Sequence, residues 1–80
     1  MVKVKVKDES KHEKFVRIAT GRTQKVLDSL RILGNCANTQ TYEYTKEEVE
    51  RIFKSIRSAM EEVRHKFAIK INEKKLFKLQ

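Results

Sequence analysis

Residues 45–67, TKEEVERIFKSIRSAMEEVRHKF, decide how this chain is read. Thr45 followed by Glu48 is a capping box, in which the threonine hydroxyl accepts from the Glu48 amide and the glutamate side chain returns to the Thr45 amide. Behind it Val49, Ile52, Phe53, Ile56, Met60, Val63 and Phe67 recur at steps of three and four. That spacing sets one apolar stripe along a helix, with Glu50, Arg51, Lys54, Arg57, Glu61 and Arg64 on the wet side. Such a helix of about 21 residues is about 31 Å long, most of the width of a small domain. Its stripe needs something to lie on.

Working outward toward the N-terminus, residues 35–44, NCANTQTYEY, form a polar connection, long for a helix hairpin. Its side chains are suited to bonding the local backbone. Tyr44, just before the cap, is placed for a hydrophobic staple against Val49. A second amphipathic pattern runs from about residue 11 to 33, through Phe15, Ile18, Ala19, Arg22, Val26, Leu30 and Leu33. Gly21 inside it marks either a kink or a close approach, and Gly34 is its expected stop. Ahead of it Asp8, Glu9 and Ser10 supply capping groups and negative charge.

Both ends of the chain read as strands. Val2, Val4 and Val6 alternate with Lys3, Lys5 and Lys7, a period of two with β-branched residues on one side. Phe67, Ile69 and Ile71 alternate in the same way, NEKK at 72–75 reads as a turn, and Phe77 and Leu79 close a last strand. The predicted fold is therefore α+β, one domain over residues 1–80 in the order β-α-α-β-β. An antiparallel helical hairpin packs on one face of a small three-stranded antiparallel sheet.

Eighty residues form one domain with a thin core. One cysteine, Cys36, allows no internal disulfide, and no run approaches the roughly 20 apolar residues of a membrane span. The expectation is a cytoplasmic protein with no membrane partner. The formal charge is +8, and nearly all of the excess sits at the two ends. Residues 1–7 carry three lysines and no acid, residues 66–80 carry five lysines against Glu73, and the middle holds 11 basic and 10 acidic residues. On a sheet joining both ends, Lys3, Lys5, Lys7, Lys70 and Lys78 make one face. Lysine on exposed strands also guards against edge pairing, but five of one sign repel each other, which points to an anionic partner. Lysines with few aromatics suit contact with phosphate rather than base reading.

No constellation for catalysis stands out, and the chain is read as a non-enzyme without cofactor or metal. A Cys36 nucleophile needs a base in reach, whereas His12 and His65 fall far along their helices. His65 with Glu61 and Glu62 is short of a metal site. Two glycines exclude a glycine-rich phosphate loop.

The run Arg31-Ile-Leu-Gly-Asn35-Cys-Ala-Asn38, then Tyr42-Glu-Tyr-Thr45 opening an amphipathic helix, resembles a widespread family of short prokaryotic and phage proteins. These carry an IGN-x-x-N loop followed by a Y-x-Y-T helix start, after a helix with a central arginine that Arg22 would match. The likeness covers residues 15–67, with Ile-Leu-Gly-Asn here in place of Leu-Ile-Gly-Asn. It implies a helical hairpin and a phage or mobile-element origin, and it assigns no activity. Arg22, Arg31, Asn35, Asn38 and Tyr42 form a second candidate set, for a protein partner. Two functions follow as expectations. One is a small basic protein engaging nucleic acid or a nucleoprotein through the lysine face, on backbone rather than sequence. The other is an inhibitor of a host or defence protein, of the anti-CRISPR kind, acting through the hairpin. Oligomeric state and the choice of DNA or RNA stay open.

Overall fold

Two helices joined by a structured turn make up the chain in a computed structural model that describes residues 9–79, the last six of these by their backbone alone. Helix α1 spans Lys11–Gly34, a 3-10 turn follows at Asn35–Ala37, and helix α2 spans Lys46–Leu79. The helix–connection–helix order is as expected.

The predicted sheet is not. Among the described residues there is no strand, and residues 67–79, expected as a strand, turn and strand, continue α2 to a length of 34 residues. The fold is therefore helical rather than α+β over this region; the expected first strand at 2–7 lies outside the described residues. The physical reason is in the local chemistry. Phe67 and Ile71 alternate with polar neighbours but are also four apart, so they prolong the Val63 stripe just as well as they would begin a strand. The chain holds no proline, and both glycines lie upstream at 21 and 34, so nothing after Thr45 interrupts the hydrogen-bond ladder. Asn-Glu-Lys-Lys is a poor turn and, but for the asparagine, a good helix segment. From just ahead of it Lys70 Nζ reaches Glu73 Oε1 at 3.5 Å, one turn along the helix. Once a helix is nucleated, adding a residue is far cheaper than starting a new element.

Both helix starts are fixed by reciprocal caps. Thr45 N–H donates to Glu48 Oε1 at 2.8 Å while the Glu48 N–H donates to Thr45 Oγ1 at 3.1 Å. The Val49 N–H then donates to the Thr45 carbonyl at 3.2 Å, which opens the ladder. Ser10 and Glu13 make the same pair of bonds at 3.0 Å each at the head of α1. This second box has the same Ser/Thr-x-x-Glu form as the first.

Gly34 does end α1, though in right-handed helical conformation at φ −59° and ψ −25° rather than as a left-handed cap. The chain tightens into the 3-10 turn and leaves it at Asn38, which is extended at ψ 107°. Gly21 is an ordinary helical residue, and a Cβ there would meet nothing within 4 Å, so close packing does not account for it. Among the described residues none is buried. Along α1, Phe15, Val16, Val26 and Leu27 are about half exposed, while Ile18, Ala19 and Leu33 are less so. Along α2, Val49 and Ile56 are the most sheltered of the stripe, and Phe53, Met60, Val63 and Phe67 are about half exposed.

Gly21→Ala should stabilise α1 by about 0.5–1 kcal/mol, because it removes backbone entropy from the unfolded chain and adds no clash. A raised thermal midpoint by circular dichroism is the expected result. Thr45→Ala should cost about 0.5–2 kcal/mol, whereas Thr39→Ala, in the connection, should leave the same midpoint within error.

Candidate functional site

The lysines expected on one sheet face are distributed differently. Lys3, Lys5 and Lys7 lie outside the described residues. Lys70 sits on α2 with its side chain 79% exposed, and Lys78 falls in the last turns of the same helix. With no sheet among the described residues, Lys70 and Lys78 do not lie on a sheet face. The period of the helix groups them with others instead. Lys66, Lys70, Lys74 and Lys78 recur every fourth residue of α2. Each step of four turns the helix about 40° past a full circle and advances about 6 Å, so the four positions trace a slowly winding row about 18 Å long. Lys66 and Lys74 are outside the expected set because the strand reading leaves Lys66 in the preceding helix and Lys74 in the turn at 72–75. Glu73 is the one acid in residues 66–80, and it pairs with Lys70. The first half of α2 differs: there Lys54, Arg57 and Arg64 are interleaved with Glu50, Glu61 and Glu62.

The second candidate set is partly gathered. Asn38 organises the turn. Its side-chain oxygen accepts from the Gln40 N–H at 3.0 Å, its amide nitrogen donates to Thr41 Oγ1 at 3.5 Å, and its carbonyl accepts from the Thr41 and Tyr42 N–H groups at 3.2 and 2.9 Å. The Asn35 carbonyl in turn accepts from the Asn38 N–H at 3.4 Å. This is the self-tied loop that the polar composition predicts, an Asx turn closed by the backbone. Asn35, Asn38 and Tyr42 therefore lie in one turn, with Tyr42 half exposed. Arg31 precedes Asn35 by one helical turn, and its guanidinium donates to Asp28 Oδ1 at 2.8 Å, an oxygen that also accepts from Gln24 at 3.1 Å. Arg22 is not with them. It stands nine residues before Arg31, on the opposite side of α1 by about 180°.

Cys36 is exposed within the 3-10 turn. His12 lies in the first turn of α1, some 36 Å away along the helix axis at about 1.5 Å per residue. Among the described residues no group of three or more His, Cys, Asp and Glu side chains is gathered as metal ligands would be, and no helix is long and apolar enough to cross a membrane. The depressions include open grooves along single helices, such as the one beside Phe15, Ala19 and Thr23.

The clearest electrostatic feature is one that sequence reading missed. Glu9, just before the α1 cap, folds back along the first two turns and receives a two-pronged bond from Arg17, Nε to Oε2 and Nη2 to Oε1, both at 2.9 Å. The pair is eight residues apart, outside the three- and four-residue spacings of helix pairs, because Glu9 precedes the helix. Hydrogen bonding from Arg17, with its charge, lowers the Glu9 pKa from the ordinary carboxylate value and raises that of Arg17.

No protein-family model matches the chain, and no curated protein or solved structure matches it.

Because the Glu9 pKa is lowered on folding, the pair stabilises the head of α1 at pH above the unfolded carboxylate value and is lost as pH falls through the folded one. Arg17→Gln should move the Glu9 midpoint upward, followed by the Glu9 carboxyl chemical shift in an NMR titration. An unmoved midpoint would show that the pair does not form in solution.

Proposed function

We propose that this chain is a small basic binding protein that engages nucleic-acid backbone through the lysine row of α2, with Lys3, Lys5 and Lys7 adding charge from the other end of the chain. The observation that carries the reading is the location of the charge. From residue 66 onward five lysines face one glutamate, and four of them recur at the helical step. A helix carrying a cation about every 6 Å on one side is a match for a line of phosphates. Lysine is a point charge on a flexible stem, suited to phosphate contact and poor at bidentate base reading. Binding of this kind depends steeply on salt and little on sequence.

A second reading is favoured by a different observation. The apolar side chains Phe15, Val26 and Leu30 of α1, at 51%, 56% and 36% exposure, present a face that phosphate would not cover. That face, with the Asn35–Asn38–Tyr42 turn beyond it, suits a protein partner, as an inhibitor of a host or defence nucleoprotein would need. The resemblance to short phage and prokaryotic proteins accords with either role.

Replacing Lys66, Lys70, Lys74 and Lys78 together with glutamine should flatten the dependence of log affinity on log salt for duplex DNA by about 3–4 units, as each lost phosphate contact contributes about 0.9. Replacing Lys54, Arg57 and Arg64, which have acidic neighbours, should flatten it by less than 1. A mobility-shift series across salt concentrations reads both. Equal effects would move the interface to the first half of α2. If the unaltered protein fails to bind duplex or single strands at low salt, the protein-partner reading takes its place.

A further inference from the structure

We infer that the stripe of α2 between Val49 and Phe67 is the seam of an antiparallel homodimer, in which the occupant of this face is the same face of a second copy. Val49, Phe53, Ile56, Met60, Val63 and Phe67 follow one another at steps of four, three, four, three and four, the alternation of the two apolar positions of a heptad repeat. The seam is bounded. The next position before it is Lys46 and the next after it is Lys70, both of which end a dry contact. Its length is about 28 Å at 1.5 Å per residue, and its side chains are half exposed or only partly sheltered on the single chain.

Three features make the seam complementary to itself when the second copy runs the other way. Size is the first. Antiparallel alignment about the middle of the seam sets Val49 against the other copy's Phe67, Phe53 against its Val63, and Ile56 against its Met60. Each aromatic meets a small β-branched residue, whereas parallel alignment stacks phenylalanine on phenylalanine and valine on valine. Alternating large and small residues across a seam fills it evenly. Charge next to the seam is the second. Glu50, Arg57 and Arg64 are equivalent heptad positions on one flank. In the antiparallel arrangement such positions face one another, so each Glu50 meets the other copy's Arg64, twice in the dimer. Arg57 meets its own counterpart at the two-fold axis, a like-charge contact at the solvated edge. In the parallel arrangement the flank facing Glu50 and Arg64 carries Thr45, Ile52, Ala59 and Lys66, which offers neither an oppositely charged partner. Third, the whole helix is polarised. Residues 43–50 hold four glutamates against Lys46, and residues 64–73 hold Arg64, Lys66 and Lys70 against Glu73. Antiparallel pairing brings the acidic start of each α2 beside the basic stretch of the other.

Sedimentation equilibrium on the full-length protein, at a salt concentration near physiological, tests the inference. The expected mass is that of a dimer dissociating at low concentration. Glu50→Arg alone and Arg64→Glu alone should each weaken dimerisation about tenfold, two contacts at about threefold apiece, and the double exchange E50R/R64E should restore it. These positions flank the seam, so the variants keep the helix, as circular dichroism will show. A monomer at every concentration overturns the proposal. So does a dimer indifferent to both single reversals, or one that the double exchange fails to restore, since either outcome removes the antiparallel register. Nucleic-acid binding is read separately, so failure here leaves the salt-slope experiment intact.

Discussion

The reciprocal bonds between Thr45 and Glu48 set the phase of everything that follows them. A helix start fixes which residue occupies which side, and α2 then runs 34 residues with no glycine or proline to reset the count. The apolar stripe, the acidic opening turn with Glu47 and Glu48, and the lysine row from residue 66 all keep their relation because one ladder carries them. The acidic turn also lies where the helix dipole favours negative charge. The same logic holds on a smaller scale for α1, where Ser10 and Glu13 close the first turn and Glu9 with Arg17 braces it from outside.

Local bonds of this kind order a helix but do not by themselves hold it. Isolated helices are marginal in water, and most helical stability in proteins comes from covering an amphipathic face. Here none of the described residues is buried, although the stripes on both helices are as regular as those of helices that pack. A stripe of phenylalanine, isoleucine and valine left in water forgoes about 25 cal/mol for each Å² it could bury. That is why the apolar faces, as much as the charge, direct attention to partners. The two kinds of surface divide along α2. Its first half alternates charges about an apolar seam, and its second half concentrates lysine.

The lysines illustrate how one sequence supports two geometries. Under a period of two, Lys70 and Lys78 belong with Lys3, Lys5 and Lys7 on a sheet; under a period of 3.6, Lys70 and Lys78 belong with Lys66 and Lys74 on a helix. Residues 67–71 satisfy both periods, since Phe67 and Ile71 are separated by four as well as by two steps of two. Five residues are too few to separate the alternatives, and the deciding fact is nonlocal along the chain. The helix was already running when it reached them.

Much of the candidate site was therefore legible, and the rest had identifiable reasons for being hidden. The cap at Thr45, the stripe to Phe67, the self-tied turn at Asn38 and the location of the charge are properties of residue type and short spacing, and the sequence by itself determined them. It also contained the Ser10–Glu13 box in the same form. What only the tertiary structure decided were the relations that spacing does not specify. The continuation of α2 to Leu79 replaced two strands and a turn, because propagation of an existing ladder outweighs a weak β pattern. The reach of Glu9 back to Arg17 depends on the path of the chain before the helix. The separation of Arg22 from Arg31, Asn35, Asn38 and Tyr42 follows from the register of α1. A list of polar residues does not carry direction, and direction around a helix is what places a side chain with its neighbours or on the far side from them.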